Sequence, residues 1–151
     1  MSQPKDTRKD DVQVKACYRE LHRYKYQLRK PYKHQTGIHG HAFESGFLRI
    51  KPDGTLEIFG LYAWDGPSGP APDVPCLMRA SLVHDALYQL IRVEALPFST
   101  RDAADRILQS IAKEDGLSIS LAFLVYWAVR LFGASCARPG SHEEIVEICA
   151  P

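Results

Sequence analysis

The chain has 151 residues and a net charge of +1, and its composition of 45% hydrophobic and 25% charged residues is that of an ordinary soluble globular protein. The longest apolar stretch, residues 117–132, contains Arg130 and is too short to predict a membrane span. Four cysteines without C-x-x-C spacing exclude the usual zinc motifs and, in a chain without a secretory signal, indicate reduced thiols.

The amino-terminal segment is basic, because residues 1–35 hold ten Lys and Arg against four Asp and Glu. Such a segment can bind nucleic acid or an anionic membrane. A solvated tail or a half-exposed strand is the more common explanation, so nucleic acid is not an expected partner. The first residues lack the apolar run of a secretory signal, and we expect the protein to be cytoplasmic when synthesised. We predict a disordered tail over residues 1–12 and one domain over residues 13–151.

The following part of the chain predicts antiparallel β-structure. Tyr and Leu side chains alternate over residues 23–30, which favours a strand, although helical spacing also fits this segment. Residues 46–61 alternate on both sides of a Pro-Asp-Gly turn and predict a β-hairpin. Residues 34–45 are rich in His and Gly and predict a loop, and the spacing of His34, His39 and His41 matches no strong metal signature.

A break and three helices follow. Residues 65–76 contain four prolines and two glycines, which excludes regular structure there. Apolar residues then recur at helical spacing. The helices span about residues 77–92, 100–113 and 118–132. Ser99 and Asp102 resemble a capping box at the start of the second helix. The third helix is apolar on most sides, and we expect it in the centre of the core.

These elements predict an α+β fold in which an amino-terminal antiparallel β-hairpin or meander packs on a three-helix core over residues 77–133. We expect the first two helices to lie antiparallel. Residues 134–151 predict a tail, with a short helix over residues 142–149.

The first helix carries the residues of a candidate hydrolytic site. His84 and Tyr88 are four residues apart and share one helix face, with Asp85 about a quarter-turn away. Asp105 lies at the edge of the apolar stripe of the second helix and needs a partner if it is desolvated. A His that activates water, held by a carboxylate, is one interpretation. The other is a structural hydrogen bond that only ties two helices together.

The turn-rich segment before this helix could bind a hard cation. Backbone carbonyls of Tyr62, Trp64 and Gly66 would act together with the Asp85 carboxylate, and Ca2+ prefers such oxygen ligands. Asp65 could add a further oxygen ligand, or its side chain could close an Asx-turn.

The pattern of a Gly/Pro loop, A-x-x-H-D-x-x-Y and then A-D resembles the catalytic core of phospholipase A2, and it is most similar to the disulfide-free phospholipase domain of parvoviral capsid proteins. The matching residues are Ala80, His84, Asp85, Tyr88, Ala104 and Asp105. The resemblance covers roughly residues 62–133 and implies a phospholipase A2-like helical core.

The resemblance also implies a role for each matching residue. His84 would be the general base, Tyr88 and Asp105 would orient its ring, and Asp85 would hold Ca2+ with carbonyls of the loop. The substrate would be phospholipid at a membrane surface. An interfacial enzyme needs exposed apolar side chains near the pocket, and Trp64, Leu77 and Met78 are the candidates.

Two further segments resemble tailed-phage and prophage proteins of unassigned function. They are residues 60–70, with the sequence GLYAWDGPSGP, and residues 78–92. This second resemblance implies a phage origin and does not indicate an activity. A place in the virion, with other phage structural proteins as partners, is a further expectation.

Three functional hypotheses follow from these observations. The first is a Ca2+-dependent phospholipase A2-like ester hydrolase of phage origin. The second is a catalytically silent virion or assembly protein that keeps the helix pair as a scaffold. The third is a nuclease-like or other metal hydrolase that uses Asp65, His84 and Asp85.

Overall fold

The computed structural model describes residues 15–20, 26–67 and 74–140 and shows strands in the first half of the chain and helices in the second. The predicted α+β class is confirmed. The strands are β1 (Tyr18–Glu20), β2 (Tyr26–Leu28), β3 (Tyr32–Gln35), β4 (Phe43–Glu44), β5 (Leu48–Ile50), β6 (Thr55–Ile58) and β7 (Ala63–Trp64). The helices are α1 (Pro75–Arg92), α2 (Arg101–Glu114), α3 (Ile119–Phe132) and α4 (Ala134–Ala137). The predicted tail over residues 1–12 and the predicted helix over 142–149 lie outside the described residues.

The strands form two antiparallel sheets. The larger sheet has the order β3-β6-β5-β4 and contains the predicted hairpin, β5 and β6, joined through Gly54 with a φ of 85°. A side chain on Gly54 would also crowd the backbone nitrogens of Gly37 and Ile38 at 3.3 Å, so glycine suits this turn for two reasons. The expected loop over residues 34–45 is wrong in part, because β3 and β4 occupy its two ends.

The smaller sheet, with the order β1-β2-β7, brings the segment before α1 against the strands. The Leu28 amide donates to the Tyr62 carbonyl, and the Leu28 carbonyl accepts from the Leu61 amide. Two consecutive residues of the segment before β7 therefore face one residue of β2. This is the arrangement of a β-bulge. The bulge turns Tyr62 into the core, and Trp64 follows it there and donates its ring N–H to the Ser81 hydroxyl at 3.1 Å.

Helices α1 and α2 lie antiparallel, as their ion pairs show. The buried Arg79 near the start of α1 contacts Asp115 and Glu114 at the end of α2, with N–O distances of 2.8 and 2.9 Å. Arg79 also donates to the Tyr32 hydroxyl of β3 at 3.4 Å, which joins the large sheet to both helices. Buried side chains of both sheets and of these helices form one hydrophobic core.

The start of α2 differs from the prediction. A short 3-10 turn over Phe98–Thr100 precedes the helix, and no side chain caps its first turn, so the expected capping box of Ser99 and Asp102 is wrong. The Asp102 carboxylate instead accepts from Arg106 one turn later and from Tyr126 of α3. The charged Arg106 and the polar Tyr126 thus occupy both oxygens of a carboxylate that could otherwise have capped the helix.

Helix α3 is not in the centre of the core, contrary to the prediction from its composition. Within this helix, all of which the structure describes, Ala122 is the one buried residue. Seven large apolar side chains of α3 are between 46% and 80% exposed: Ile119, Leu121, Phe123, Leu124, Trp127, Leu131 and Phe132. The helix packs against α2 through a narrow side and leaves a wide apolar face uncovered. Nothing in the described part of the chain is a helix both long and apolar enough to span a membrane.

We predict that Arg79→Met lowers the free energy of unfolding by about 2 kcal/mol, because it removes a nearly buried cation that joins three elements and leaves two carboxylates unpaired. Urea denaturation measures this change. Arg106→Met is the matched control: its side chain is 65% exposed and its ion pair lies within one helix, and its contact with another helix is with the Tyr126 ring at 5.4 Å. Its loss is therefore expected to cost less than about 0.5 kcal/mol. Equal losses in the two variants would contradict the role of Arg79.

Candidate active site

The antiparallel helices bring His84, Tyr88 and Asp105 together in the interior. The His84 ring nitrogen Nε2 lies 2.8 Å from Oδ1 of Asp105, and the Tyr88 hydroxyl donates to the same oxygen at 2.7 Å. The predicted hydrogen bonds are therefore present. The His84 and Tyr88 rings also lie against each other, with centroids 4.0 Å apart, because residues four apart on a helix occupy one face.

Asp105 is completely buried and receives a third donor that the sequence reasoning missed. Arg130, near the end of α3, donates to the second carboxylate oxygen of Asp105 at 2.9 Å. The buried carboxylate is thus met by a His and a Tyr from α1 and by an Arg from α3. A lone Arg in a helix that is otherwise apolar was the signal available in the sequence, because such a charge needs a partner.

Arg101 is the other site residue that the sequence reasoning missed. It is buried, lies one turn before Asp105, and donates to the Tyr88 hydroxyl at 3.0 Å. It also donates to the carbonyls of Val129 and Arg130 at the end of α3, at 2.7 Å each. Cations are favourable at the carboxyl end of a helix, so Arg101 fixes the end of α3 and the hydroxyl of Tyr88 at the same time.

The hydrogen bonds determine which nitrogen of His84 is available for chemistry. A carboxylate can only accept, so Nε2 carries the proton that Asp105 receives as a hydrogen bond. In the neutral ring the other nitrogen, Nδ1, then has a free lone pair. Nδ1 lies 3.9 Å from Oδ1 of Asp85, which is beyond direct hydrogen-bond range.

The environment shifts the pKa values of His84 and Asp105 in the directions that a charge pair requires. Burial lowers the pKa of His84, but Asp105 and Asp85 outweigh it and raise that pKa above the usual 6.5. Burial raises the pKa of Asp105, but donors from His84, Tyr88 and Arg130 outweigh it and leave that pKa below 3.8. Asp85 lacks comparable donors, and burial raises its pKa above 3.8 even though His84 opposes the shift.

A cavity of about 390 Å³ opens beside this network. His84, Asp85 and Tyr88 form its polar floor, and Asp65 and Arg92 also line it. The apolar part of its lining comes from the end of α3: Ala128, Val129 and Phe132. The cavity therefore has both a reactive polar surface and an apolar surface, and its size falls in the range of ligand sites.

The predicted cation ligands are only partly free. Asp65 and Asp85 line the same cavity, so two carboxylates face one space. The carbonyl of Tyr62 already accepts the Leu28 amide at 2.8 Å, and Trp64 lies in β7, in register with Tyr26. Gly66 adopts a φ of 80°, beyond the end of β7. Across residues 15–20, 26–67 and 74–140, no three His, Cys, Asp or Glu side chains cluster as a metal site, and His34, His39 and His41 form none.

The apolar residues expected to dock on a lipid surface are not available for it. Trp64, Leu77 and Met78 are each at most 5% exposed. They fill the core between the small sheet and α1, because the strand β7 carries Trp64 inward. This expectation was wrong.

No protein-family model, curated protein or solved structure matches this chain. The resemblances to phospholipase A2 and to tailed-phage proteins therefore stay predictions. The chemistry of the site rests on its own geometry.

We predict that Arg130→Gln raises the pKa of His84. Arg130 neutralises part of the Asp105 charge, and without it the full carboxylate favours the protonated ring. Histidine NMR titration of the folded protein measures this pKa directly. Arg106→Gln is the control, because Arg106 pairs with Asp102 and does not touch Asp105. An unchanged or lowered His84 pKa in the Arg130 variant would contradict the prediction.

Proposed function

We propose that the protein is a phospholipase A2-like hydrolase of phage origin that cleaves carboxylic esters of phospholipid, with His84 as the general base. The observation that carries this proposal is the orientation of His84: Nε2 is held by a buried carboxylate, and Nδ1 is left with a lone pair beside a cavity. A His that only ties two helices together could make its hydrogen bond through either ring nitrogen. A base needs a fixed ring with one free nitrogen at the substrate side.

The residues support a simple sequence of proton transfers. Nδ1 of His84 takes a proton from a water molecule while the water oxygen attacks the ester carbonyl carbon. The ring becomes an imidazolium, and Asp105 stabilises its charge through Nε2. When the carbon–oxygen bond of the ester breaks, Nδ1 returns the proton to the leaving alcohol oxygen. The products are a fatty acid and a lysophospholipid, and the ring is neutral again.

The cavity fits an amphiphilic ester. Its apolar wall of Ala128, Val129 and Phe132 suits an acyl chain next to the reacting carbonyl. Arg92 lines the polar part of the cavity, and a guanidinium is well suited to a phosphate group. A phospholipid surface is thus the proposed source of substrate. The one Arg among the described lining residues does not make the basic cleft that a nuclease needs.

Ca2+ is the proposed cofactor. The carboxylates of Asp85 and Asp65 and the Gly66 carbonyl would hold it, because hard oxygen donors are the ligands that Ca2+ prefers. A Ca2+ ion held there would supply positive charge that stabilises the oxyanion formed during ester hydrolysis. Burial, together with the nearby Asp65, raises the pKa of Asp85. A cation bound between these two carboxylates would relieve their mutual repulsion.

One observation favours a second candidate function. Asp105 receives donors from two other helices, so the same network that would orient a base also ties three helices together. A catalytically silent virion or assembly protein would keep this network for stability alone. Such a protein would lose stability, but no activity, when the network is altered.

We predict that His84→Gln and Asp105→Asn each lower fatty-acid release from phospholipid vesicles by at least about 100-fold, and that the double variant loses no more than the worse single one. A base and the group that orients it act as one unit, so their losses do not add. The parent rate should rise with pH through the raised pKa of His84, because only the neutral ring is a base.

The controls are His39→Gln, an exposed loop His, and Asp102→Asn, which lies one turn before Asp105. Both should keep the parent activity. Circular dichroism must show that the inactive variants are folded. A pure parent protein with Ca2+ that releases no fatty acid from zwitterionic or anionic vesicles would contradict the enzyme and support the scaffold.

We predict that Asp85→Asn weakens Ca2+ binding by at least about tenfold, because it removes a carboxylate ligand from an oxygen site. Calorimetric titration of the metal-free protein measures this affinity without any substrate. Asp102→Asn is again the control, since that carboxylate does not line the cavity and pairs with Arg106. Equal Ca2+ affinity in parent and Asp85→Asn would place the ion elsewhere.

A further inference from the structure

The outer face of α3 is the largest surface feature that takes no part in the proposed proton transfers. Its seven large apolar side chains are about half to four-fifths exposed. With about 200 Å² for each such side chain when fully exposed, they present on the order of 900 Å² of apolar surface. The largest apolar patch on a typical monomer is about 300–600 Å². This face is therefore larger than the apolar patch that an isolated monomer normally exposes.

The face carries a pattern of its own. Leu121, Leu124, Ala128 and Leu131 follow one another at steps of three, four and three residues. This is the a/d spacing at which two helices interdigitate their side chains. Ala128, the smallest of the four, lies inside the pattern and lets a second helix approach closely. A membrane-surface helix needs no such register.

The charges of α3 do not oppose association. Arg130 is the one ionisable Lys, Arg, Asp or Glu in this fully described helix, and it points to Asp105 and Asp102 of α2. The outward face thus has neither like charges that would repel a second copy nor the Lys and Arg that membrane-surface helices usually carry.

We propose that α3 is the interface of a symmetric homodimer, in which two copies of α3 pack antiparallel about a two-fold axis near the level of residue 126. In that arrangement Leu121 meets Leu131 of the partner subunit, and Leu124 meets Ala128 of the partner subunit. Each contact occurs twice, as a two-fold interface requires. An antiparallel pair also places the positive end of each helix dipole beside the negative end of the other.

The area agrees with this assignment. A stable dimer of standard size buries about 800 Å² on each partner. Leu121, Leu124, Trp127, Leu131 and Phe132 lie on or beside this seam and supply on the order of 600 Å² of it. Ile119 and Phe123 lie on the far side of the helix and are not counted. Ala128 and Phe132 also line the cavity beside His84, so the second copy would lie at the cavity mouth.

Sedimentation equilibrium of the full chain tests the proposal. At a concentration of about 100 μM the parent protein should have the mass of two chains. Leu124→Lys should raise the dissociation constant at least about 100-fold, because the charge enters the interface twice. Leu124 is 62% exposed, so this variant should fold like the parent by circular dichroism. Phe47→Lys, on the hairpin and 47% exposed, is the matched control and should leave the dimer unchanged. A parent protein that is monomeric throughout overturns the proposal.

Cysteine cross-linking tests the antiparallel register. Leu121→Cys and Leu131→Cys should form a disulfide with each other when mixed, above the background that the native cysteines give in the parent. Neither variant should form it alone. Self-cross-linking of each single variant would show a parallel pair and overturn the assignment. A monomeric parent that sediments with phosphatidylcholine vesicles, when Leu124→Lys does not, would assign the face to lipid instead.

Discussion

The rest of this structure depends on one buried carboxylate. Asp105 is wholly inaccessible to solvent, and moving an unpaired carboxylate into such a place costs several kcal/mol or more. The cost is offset because His84, Tyr88 and Arg130 all donate to it. These donors come from the helices on either side of α2, so satisfying one charge fixes the relative position of three helices. No buried side-chain N or O atom in the described part of the chain lacks a partner.

That single requirement also explains why the site is suited to chemistry. A His that binds a buried carboxylate through Nε2 has one ring orientation and one neutral tautomer. Its other nitrogen lies 3.9 Å from Oδ1 of Asp85, which lines the same cavity. Catalysis profits from such pre-organisation because the protein does not have to rearrange during the reaction. Arg101 adds to it by holding the hydroxyl of Tyr88. The same contacts serve stability, and activity measurements separate the two roles.

The apolar face of α3 and the cavity belong to the same element. The end of α3 supplies Arg130 to the network and Val129 and Phe132 to the cavity wall. Its outward face is free for another molecule. Any molecule that binds this face would also lie near the cavity mouth. Its binding would therefore affect the access of ligands to the cavity. The wide apolar surface is thus a consequence of a helix that contributes to the site with one narrow side only.

The sequence determined the local elements and the main site residues. Helical spacing placed His84 and Tyr88 on one face, the Pro-Asp-Gly turn predicted the hairpin, and a stripe-edge Asp105 required a buried partner, because these depend on periodicity and on local backbone preference. The short strands β3 and β4 were missed, since two- to four-residue strands form only against neighbours that the local sequence does not show.

Tertiary structure alone decided the rest. An apolar helix has the same composition whether its own chain or another molecule covers it. Composition could therefore not show that α3 is exposed. Arg101 and Arg130 join the site through distant backbone and carboxylate partners, which no spacing in the sequence encodes. The loop that was expected to present the Tyr62 carbonyl to a cation instead pairs with β2. Local periodicity specifies which face of an element is apolar, and only packing specifies what that face meets.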